Sequence, residues 1–118
     1  MPSSTKTGYG KIVIENEVIA RIAGLSAMEC FGIVGMASRN VKDGIVHLLR
    51  KENLSKGINL NMRGGFLTID LHIIVEYGTN IPAIADTLVD MVKYKVEEHT
   101  KIKVETVNIF VEGIRVDK

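Results

Sequence analysis

The chain has 118 residues, 46% of them hydrophobic and 25% charged, so it is long enough for one soluble domain with its own core. Its formal net charge of +1 excludes a strong overall attraction to nucleic acid or anionic membranes, and its single cysteine excludes an internal disulfide. The chain has neither an apolar run of about 18 residues, as a membrane span needs, nor the apolar segment of a secretory signal at its start. We therefore expect a cytoplasmic protein.

The first residues in chain order predict a tail, a strand and a helix. Residues 1–8 are small and polar and are predicted to be disordered, which leaves 9–118 as a single domain. A short strand is predicted over Lys11–Glu15, and Asn16 is the predicted N-cap of the following helix. The apolar residues of this helix recur at helical spacing and are Val18, Ile19, Ile22, Ala23 and Leu25.

The next segment predicts a second strand and a short helix. The helix ends near Cys30, with Gly32 available as a left-handed cap. The β-branched and apolar residues of Ile33–Ser38 favour a strand. A short helix is predicted over Ile45–Leu49, capped by Asp43 or Asn40.

A β-hairpin is the most specific structural prediction of the sequence. Gly64-Gly65 suits a two-residue type I′ turn, because glycine adopts the positive φ angles that such a turn requires. This turn fixes the register and places one apolar set on one face, with the pairs Ile58–Leu71, Leu60–Ile69 and Met62–Leu67. The other face receives the polar pairs Asn59–Asp70 and Asn61–Thr68.

The second half of the chain completes the predicted fold. Asn80 is the predicted N-cap of a long helix, and a last strand is predicted over Lys103–Ile114. The apolar stripe of the long helix consists of Ile81, Ile84, Ala85, Leu88, Val92 and Val96. The element order is β-α-β-(short α)-β-β-α-β. It predicts a two-layer α+β fold, with a mixed sheet and two long helices on one face.

The sequence predicts no catalytic, metal or cofactor site. His47, His72 and His99 do not stand at metal-ligand spacing, either with one another or with a carboxylate or thiol. Cys30 falls at the C-terminal end of a helix, where the dipole disfavours a thiolate, so we interpret it as a buried apolar residue. Gly32-Ile33-Val34-Gly35 matches the spacing of a KH-domain loop, but its apolar β-branched centre favours a strand.

Two groups of residues are candidate interaction surfaces. The segment from Arg39 to Arg63 holds two acidic residues and six basic ones, namely Arg39, Lys42, Arg50, Lys51, Lys56 and Arg63. Such a patch could contact nucleic acid, but no aromatic residues are interleaved with it, and a solvated surface is the simpler interpretation. The second group consists of Asp70, His72, Ile74 and Phe110, which strand alternation places on the sheet face away from the helices. The alternative is that the short helix near Leu48 folds over this face and buries Ile74 and Phe110.

Several blocks of the sequence resemble the alkaline-shock, or envelope stress response, protein family. They are 10–14 (GKIVI), 16–20 (NEVIA), 32–36 (GIVGM), 75–81 (VEYGTNI) and 107–114 (VNIFVEGI). The segments 42–44 (KDG) and 49–53 (LRKEN) resemble the short, single-domain branch of that family. The resemblance extends from about Tyr9 to Val116.

The resemblance implies a non-enzymatic, cytoplasmic bacterial protein linked to envelope stress and alkaline tolerance. It also implies protein partners: a separate integral-membrane anchor for some members, and a dihydroxyacetone-kinase-like protein of fatty-acid phosphorylation beside the short branch. No catalytic motif or cofactor is implied. This chain lacks the long charged tails of the larger stress members.

From these observations we expect an adaptor or scaffold domain that acts through protein–protein contacts, including self-association into a homo-oligomer. The expected contact with a membrane is through a partner, without direct insertion. Two alternatives remain open at this point: nucleic-acid binding through residues 39–63, and a role as a carrier or accessory protein in fatty-acid or lipid metabolism.

Overall fold

The computed structural model describes residues 3–7, 10–39, 46–49 and 55–116. Within these residues the chain forms strands and two helices, which are β1 (Ser3–Thr7), β2 (Gly10–Ile14), α1 (Asn16–Met28), β3 (Ile33–Arg39), β4 (Val46–Leu48), β5 (Ile58–Arg63), β6 (Phe66–Glu76), α2 (Ile81–Thr100) and β7 (Lys103–Arg115).

The α+β fold is confirmed, and its sheet is mixed. β6 lies at the centre: β5 and β3 pair with it antiparallel, β7 pairs with it parallel, and β4 adds to β3. A chain that leaves β6, passes through α2 and returns as β7 must enter β7 in the same direction, which is why this pair is parallel.

The predicted hairpin register is confirmed residue by residue. Ile58 lies opposite Leu71, and Asn59 lies opposite Asp70. Gly64 and Gly65 have φ angles of 58° and 85°, in the left-handed region that the turn requires. The alternating faces of β5 and β6 follow directly from this turn.

One hydrophobic core joins the sheet to both helices. The face of β6 that carries Leu67, Ile69, Leu71 and Ile73, here named the covered face, is almost fully buried. These side chains share one cluster with Ile19 and Ala23 of α1 and with residues of the predicted α2 stripe, Ile84, Leu88, Val92 and Val96. Apolar alternation in the strand and helical spacing in α2 thus meet in the same core.

The two helix starts differ from each other. Asn80 caps α2 as predicted, since its side-chain oxygen accepts a hydrogen bond from the Ala83 N–H at 3.1 Å. The prediction that Asn16 caps α1 is wrong: Asn16 is already helical, and Glu15 occupies the N-cap without a side-chain bond to the helix. A residue with extended backbone can mark the N-terminal boundary of a helix even when its side chain makes no capping bond.

The predicted short helix over Ile45–Leu49 is wrong where the structure describes it. Val46–Leu48 forms β4, which pairs antiparallel with β3, and the Leu49 N–H continues this pairing to the Met36 carbonyl at 2.9 Å. Pairing with an available strand edge decides the conformation of so short an apolar segment. The predicted caps Asn40 and Asp43 lie outside the described residues.

The beginning of the chain also differs from expectation. Ser3–Thr7, which the sequence assigns to the tail, forms β1 and pairs antiparallel with β2 as a separate two-stranded sheet. The backbone N–H and C=O groups of this segment pair with those of β2, and its polar side-chain composition does not predict this pairing. The division into a tail and one domain over 9–118 stays a prediction.

Candidate functional site

A row of polar and aromatic side chains lies on the face of the sheet opposite the covered face. We name it the polar face and define it by Asn59 of β5, Asp70 and His72 of β6, and Asn108 and Phe110 of β7. The pairing of these strands places Asp70 between Asn59 and Asn108, and His72 beside Phe110. Neighbours across a sheet point to the same side, so the five side chains form one surface.

His72 and Phe110 form the centre of the polar face. Their rings are stacked, with centroids 4.9 Å apart and an interplanar angle of 14°. Phe110 retains 44% of its surface exposure, while His72 is half-buried. Stacked aromatic rings on neighbouring strands restrict each other's rotation, so this pair is a rigid, partly apolar platform.

Glu112 holds the His72 ring from the other side. Its Oε2 atom lies 2.7 Å from His72 Nδ1, a distance typical of a strong hydrogen bond. Because a carboxylate can only accept, the proton of a neutral His72 is assigned to Nδ1. Nε2 is then an acceptor, and the Asn59 amide nitrogen lies 3.5 Å from it.

A second bond joins β6 to β7 one pair further along the strands. The Asn108 amide nitrogen donates to Asp70 Oδ1 at 2.9 Å. Together with the His72 contacts, it links side chains of three strands into a row of hydrogen bonds. Such a row offers a partner fixed donors, acceptors and an aromatic ring, and it contains no hydroxyl or thiol nucleophile.

Ile74 is placed differently from the other members of its predicted group. It is 4% exposed, and the neighbouring Gly35 lies directly beneath Leu48 of β4, since a Cβ added to Gly35 would come within 2.7 Å of Leu48 Cδ1. Of the predicted group, Asp70, His72 and Phe110 share the polar face. Ile74 is buried at its border. The role of the group as an interaction surface stays a prediction.

The predicted basic patch is only partly described. Lys42, Arg50 and Lys51 lie outside the described residues, and Arg39 is the last residue of β3. Lys56 precedes β5 and Arg63 ends it, and both are exposed. At the rise of an extended strand these two lie roughly 20 Å apart, so they do not form one local cluster.

Cys30 is buried at 6% exposure, as predicted, and belongs to the core cluster. Burial raises the pKa of the Cys30 thiol because apolar surroundings disfavour the charged thiolate.

Among the described residues, no group of three or more histidine, cysteine, aspartate or glutamate side chains is arranged to hold a metal ion. Within the same part of the chain, neither helix is apolar enough over its length to cross a bilayer.

The sequence did not predict the role of Glu112. Strand alternation puts Glu112 on the same face as Phe110, but its contact with His72 joins residues 40 positions apart. A register shift in β7 between Val111 and Gly113 leaves Glu112 as an extra residue in the strand pairing. The contact had no signal in the sequence, because it depends on the register between β6 and β7, which brings Glu112 within reach of His72.

Comparisons with known proteins agree in pointing to one family. A model of the alkaline-shock protein 23 family, described by a cell envelope-related function, matches residues 4–116. The protein YloU of Bacillus subtilis (strain 168) is 48% identical over 117 residues, which cover 98% of each chain. A Streptococcus pyogenes serotype M3 protein named stress response regulator gls24 homolog is 28% identical over 109 residues, 90% of this chain and 59% of that protein.

Solved structures offer a more distant likeness. A nickel form of a MamM CTD variant aligns over 86% of this chain and 99% of that chain, with a TM-score of 0.49 and 12% identity. Both values are too low to support any transfer of function.

Proposed function

Since this chain belongs to the alkaline-shock protein 23 family, with its cell envelope-related function, we propose that it is a non-enzymatic adaptor that acts through protein–protein contacts at the polar face. The stacked and exposed Phe110 is the observation on which this proposal rests. The stress response in the name of the gls24 relative extends to this chain as part of the same proposal.

The physical support comes from the way Phe110 is held. An aromatic ring that is already fixed before binding loses little conformational entropy when a partner covers it. His72 fixes one side of Phe110, and Glu112 in turn fixes His72. Binding energy in protein interfaces concentrates on such aromatic anchors, and a rim of polar groups around them excludes water. Asn59, Asp70 and Asn108 supply a rim of this kind.

The absence of an enzymatic role is part of the proposal. A histidine paired with a carboxylate is also found in catalytic sites, where it activates a nucleophile. Besides Glu112, His72 contacts Asn59 and Phe110, and neither of these side chains can act as a nucleophile. The same arrangement serves binding, because Glu112 fixes the orientation of the ring.

The partner that we propose is a protein in the cytoplasm. An integral-membrane anchor and a dihydroxyacetone-kinase-like protein are the two partner classes to be tested first, and an anchor would bring the chain to the membrane without insertion. A fixed aromatic ring within a polar rim fits a protein surface better than a lipid chain, which needs an enclosed apolar cavity.

The test is affinity capture from the native cells with three tagged proteins: the parent, a Phe110→Ser/His72→Ala variant and a Tyr94→Ser control. Tyr94 is an exposed aromatic residue of α2, away from the polar face. We expect the control to retain the parent's partner and the polar-face variant to lose at least about 90% of it, since truncation of an anchor costs ~2 kcal/mol.

Melting curves accompany the capture experiment. Both variants are expected to melt close to the parent, because the substituted side chains are on the surface. Full capture of the partner by the stable polar-face variant would refute the proposed surface. Equal loss in the Tyr94→Ser control would place the contact on the helices instead.

A further inference from the structure

The outer edge of β7 is the second surface with unused binding capacity. β7 has 13 residues, and within the described ranges it pairs only with β6, on one of its two sides. An edge strand turns the N–H and C=O of every second residue outward, and this row of groups is a template for pairing with another strand. The occupant that this edge fits is therefore a β-strand.

The side chains along this edge are unusually apolar for a sheet border. Val107 and Ile109 pack against the core from the covered side, Val111 is 38% exposed, and Ile114 is 54% exposed. Native proteins blunt a free edge with charged residues or prolines along it. Residues 106–111 of β7 contain neither, and the sequence there is TVNIFV.

We propose that the outer edge of β7 pairs antiparallel with the same edge of a second copy of this chain, with a two-fold axis at Ile109. The pairing would join two sheets into one and extend the two hydrophobic cores across the junction. A second copy is the occupant because β7 is self-complementary in this register, as an isologous interface requires.

The register follows from the strand itself. Register shifts leave Glu105 and Glu112 as extra residues, so the uninterrupted run of β7 between them covers residues 106–111. Directly opposed residues of an antiparallel pair lie on the same face, so the axis must pass through a residue and not between two. The three central choices are Asn108, Ile109 and Phe110.

Among the three, only the axis at Ile109 pairs all the apolar residues of the covered side, Val107, Ile109 and Val111, with one another. It sets Ile109 against Ile109 of the second copy and Val107 against Val111. An axis at Asn108 would set Val111 against the extra residue Glu105, and an axis at Phe110 would set Val107 against Gly113. Apolar cross-strand pairs stabilise a sheet, whereas these alternatives leave an apolar side chain beside a charge or a glycine.

The ends of β7 limit the length of the junction. The Val104 N–H already donates to the Glu97 carboxylate at 2.8 Å, so that backbone group is not free to pair. The regular stretch 106–111 spans roughly 20 Å. A junction made by one strand pair of this length is small for a specific interface. We therefore expect a weak dimer that forms in the micromolar to millimolar range of chain concentration.

The first experiment is disulfide cross-linking of three single-residue variants: Asn108→Cys, Ile109→Cys and Phe110→Cys. Each would link to itself only if the axis passes through that residue, because a disulfide requires Cβ atoms about 4 Å apart. We expect Ile109→Cys to link at least about tenfold faster than the others and than an exposed Tyr94→Cys control. Cys30 stays in all variants because it is buried, and mass spectrometry identifies the linked residues.

The second experiment is sedimentation equilibrium of Val111→Lys. In the proposed dimer, the lysine of each copy would lie opposite Val107 of the other copy. We expect the dissociation constant of the dimer to rise at least about tenfold, while Asn61→Lys on β5 leaves it unchanged. Melting curves show whether Val111→Lys is folded. If it is not, the cross-linking result alone decides.

A parent chain that remains monomeric at millimolar concentration, or an Ile109→Cys variant that links no faster than Tyr94→Cys, would overturn the proposal. The dimer does not depend on the adaptor function. His72→Ala, which lies on β6 and outside the junction, is expected to dimerise normally, and Val111→Lys is expected to retain the captured partner. The two proposals can therefore fail separately.

Discussion

The two faces of β6 differ in what holds their side chains. On the covered face, Ile69 and Leu71 are completely buried in a core that both helices share. On the polar face, Asp70 and His72 are half-buried and are held by side-chain hydrogen bonds to β7. Stability should therefore depend strongly on the covered face and weakly on the polar face, which leaves the polar face available for binding.

The energies of the two kinds of contact support this division. A completely buried leucine contributes through its transfer from water and through close packing, together several kcal/mol. The hydrogen bond between His72 and Glu112, whose side chains are 26% and 10% exposed, contributes about 1 kcal/mol net, because it replaces hydrogen bonds to water. Neighbouring residues of one strand can thus differ severalfold in their effect on folding.

The largest expected effect comes from Leu71→Ala, compared with His72→Ala as its matched control in the same strand. We expect Leu71→Ala to lower the free energy of unfolding by about 2–5 kcal/mol, because it leaves a cavity at a site with no exposure. His72→Ala should lower it by only about 1 kcal/mol, the net contribution of one hydrogen bond. Urea denaturation measures both values, and similar losses in the two variants would mean that the polar face is part of the core.

The sequence predicted these faces because strand alternation is a local property. Gly64 and Gly65 fix the register of β5 and β6, and the register then decides the direction of each side chain. The same reasoning failed for Ile74. Alternation assigned it to the exposed face, but it is only 4% exposed, and alternation alone does not predict which part of a face the rest of the chain covers.

The candidate site was predictable as a set of residues and not as a set of contacts. Alternation put Asp70, His72 and Phe110 on one face, and the crossover through α2 made β7 a neighbour of β6. The ring stacking and the Glu112 contact depend on the register between β6 and β7, including its two shifts. No turn connects these strands directly, so nothing local fixes that register.

A moderate effect is expected from replacement of the turn that assigns the faces. Gly64-Gly65→Val-Val should lower the free energy of unfolding by about 1–3 kcal/mol, since β-branched residues resist φ angles of 58° and 85°. Gly64→Asn is the matched control, because asparagine tolerates this conformation. Neither glycine has a neighbour within 4 Å of an added Cβ, so a clash cannot explain the loss. A Val-Val variant as stable as the parent would contradict the turn.

The smallest expected effect concerns Cys30, at the border of the covered core. Its burial and the raised pKa of its thiol both oppose reaction, so a thiol reagent should label the folded chain slowly and the denatured chain fast. An opening free energy of about 3 kcal/mol would slow labelling roughly 100-fold. In the control, Cys30→Ala/Phe31→Cys, the thiol moves to the neighbouring, highly exposed position and should react at the denatured rate.

The raised pKa of the Cys30 thiol also implies that stability depends on pH. The unfolded chain loses the thiol proton first, so the contribution of Cys30 is complete below the ordinary thiol pKa. It decreases as pH rises through the alkaline range. The parent should therefore lose slightly more stability there than Cys30→Ala, and fast labelling of the native parent would show that the thiol is accessible.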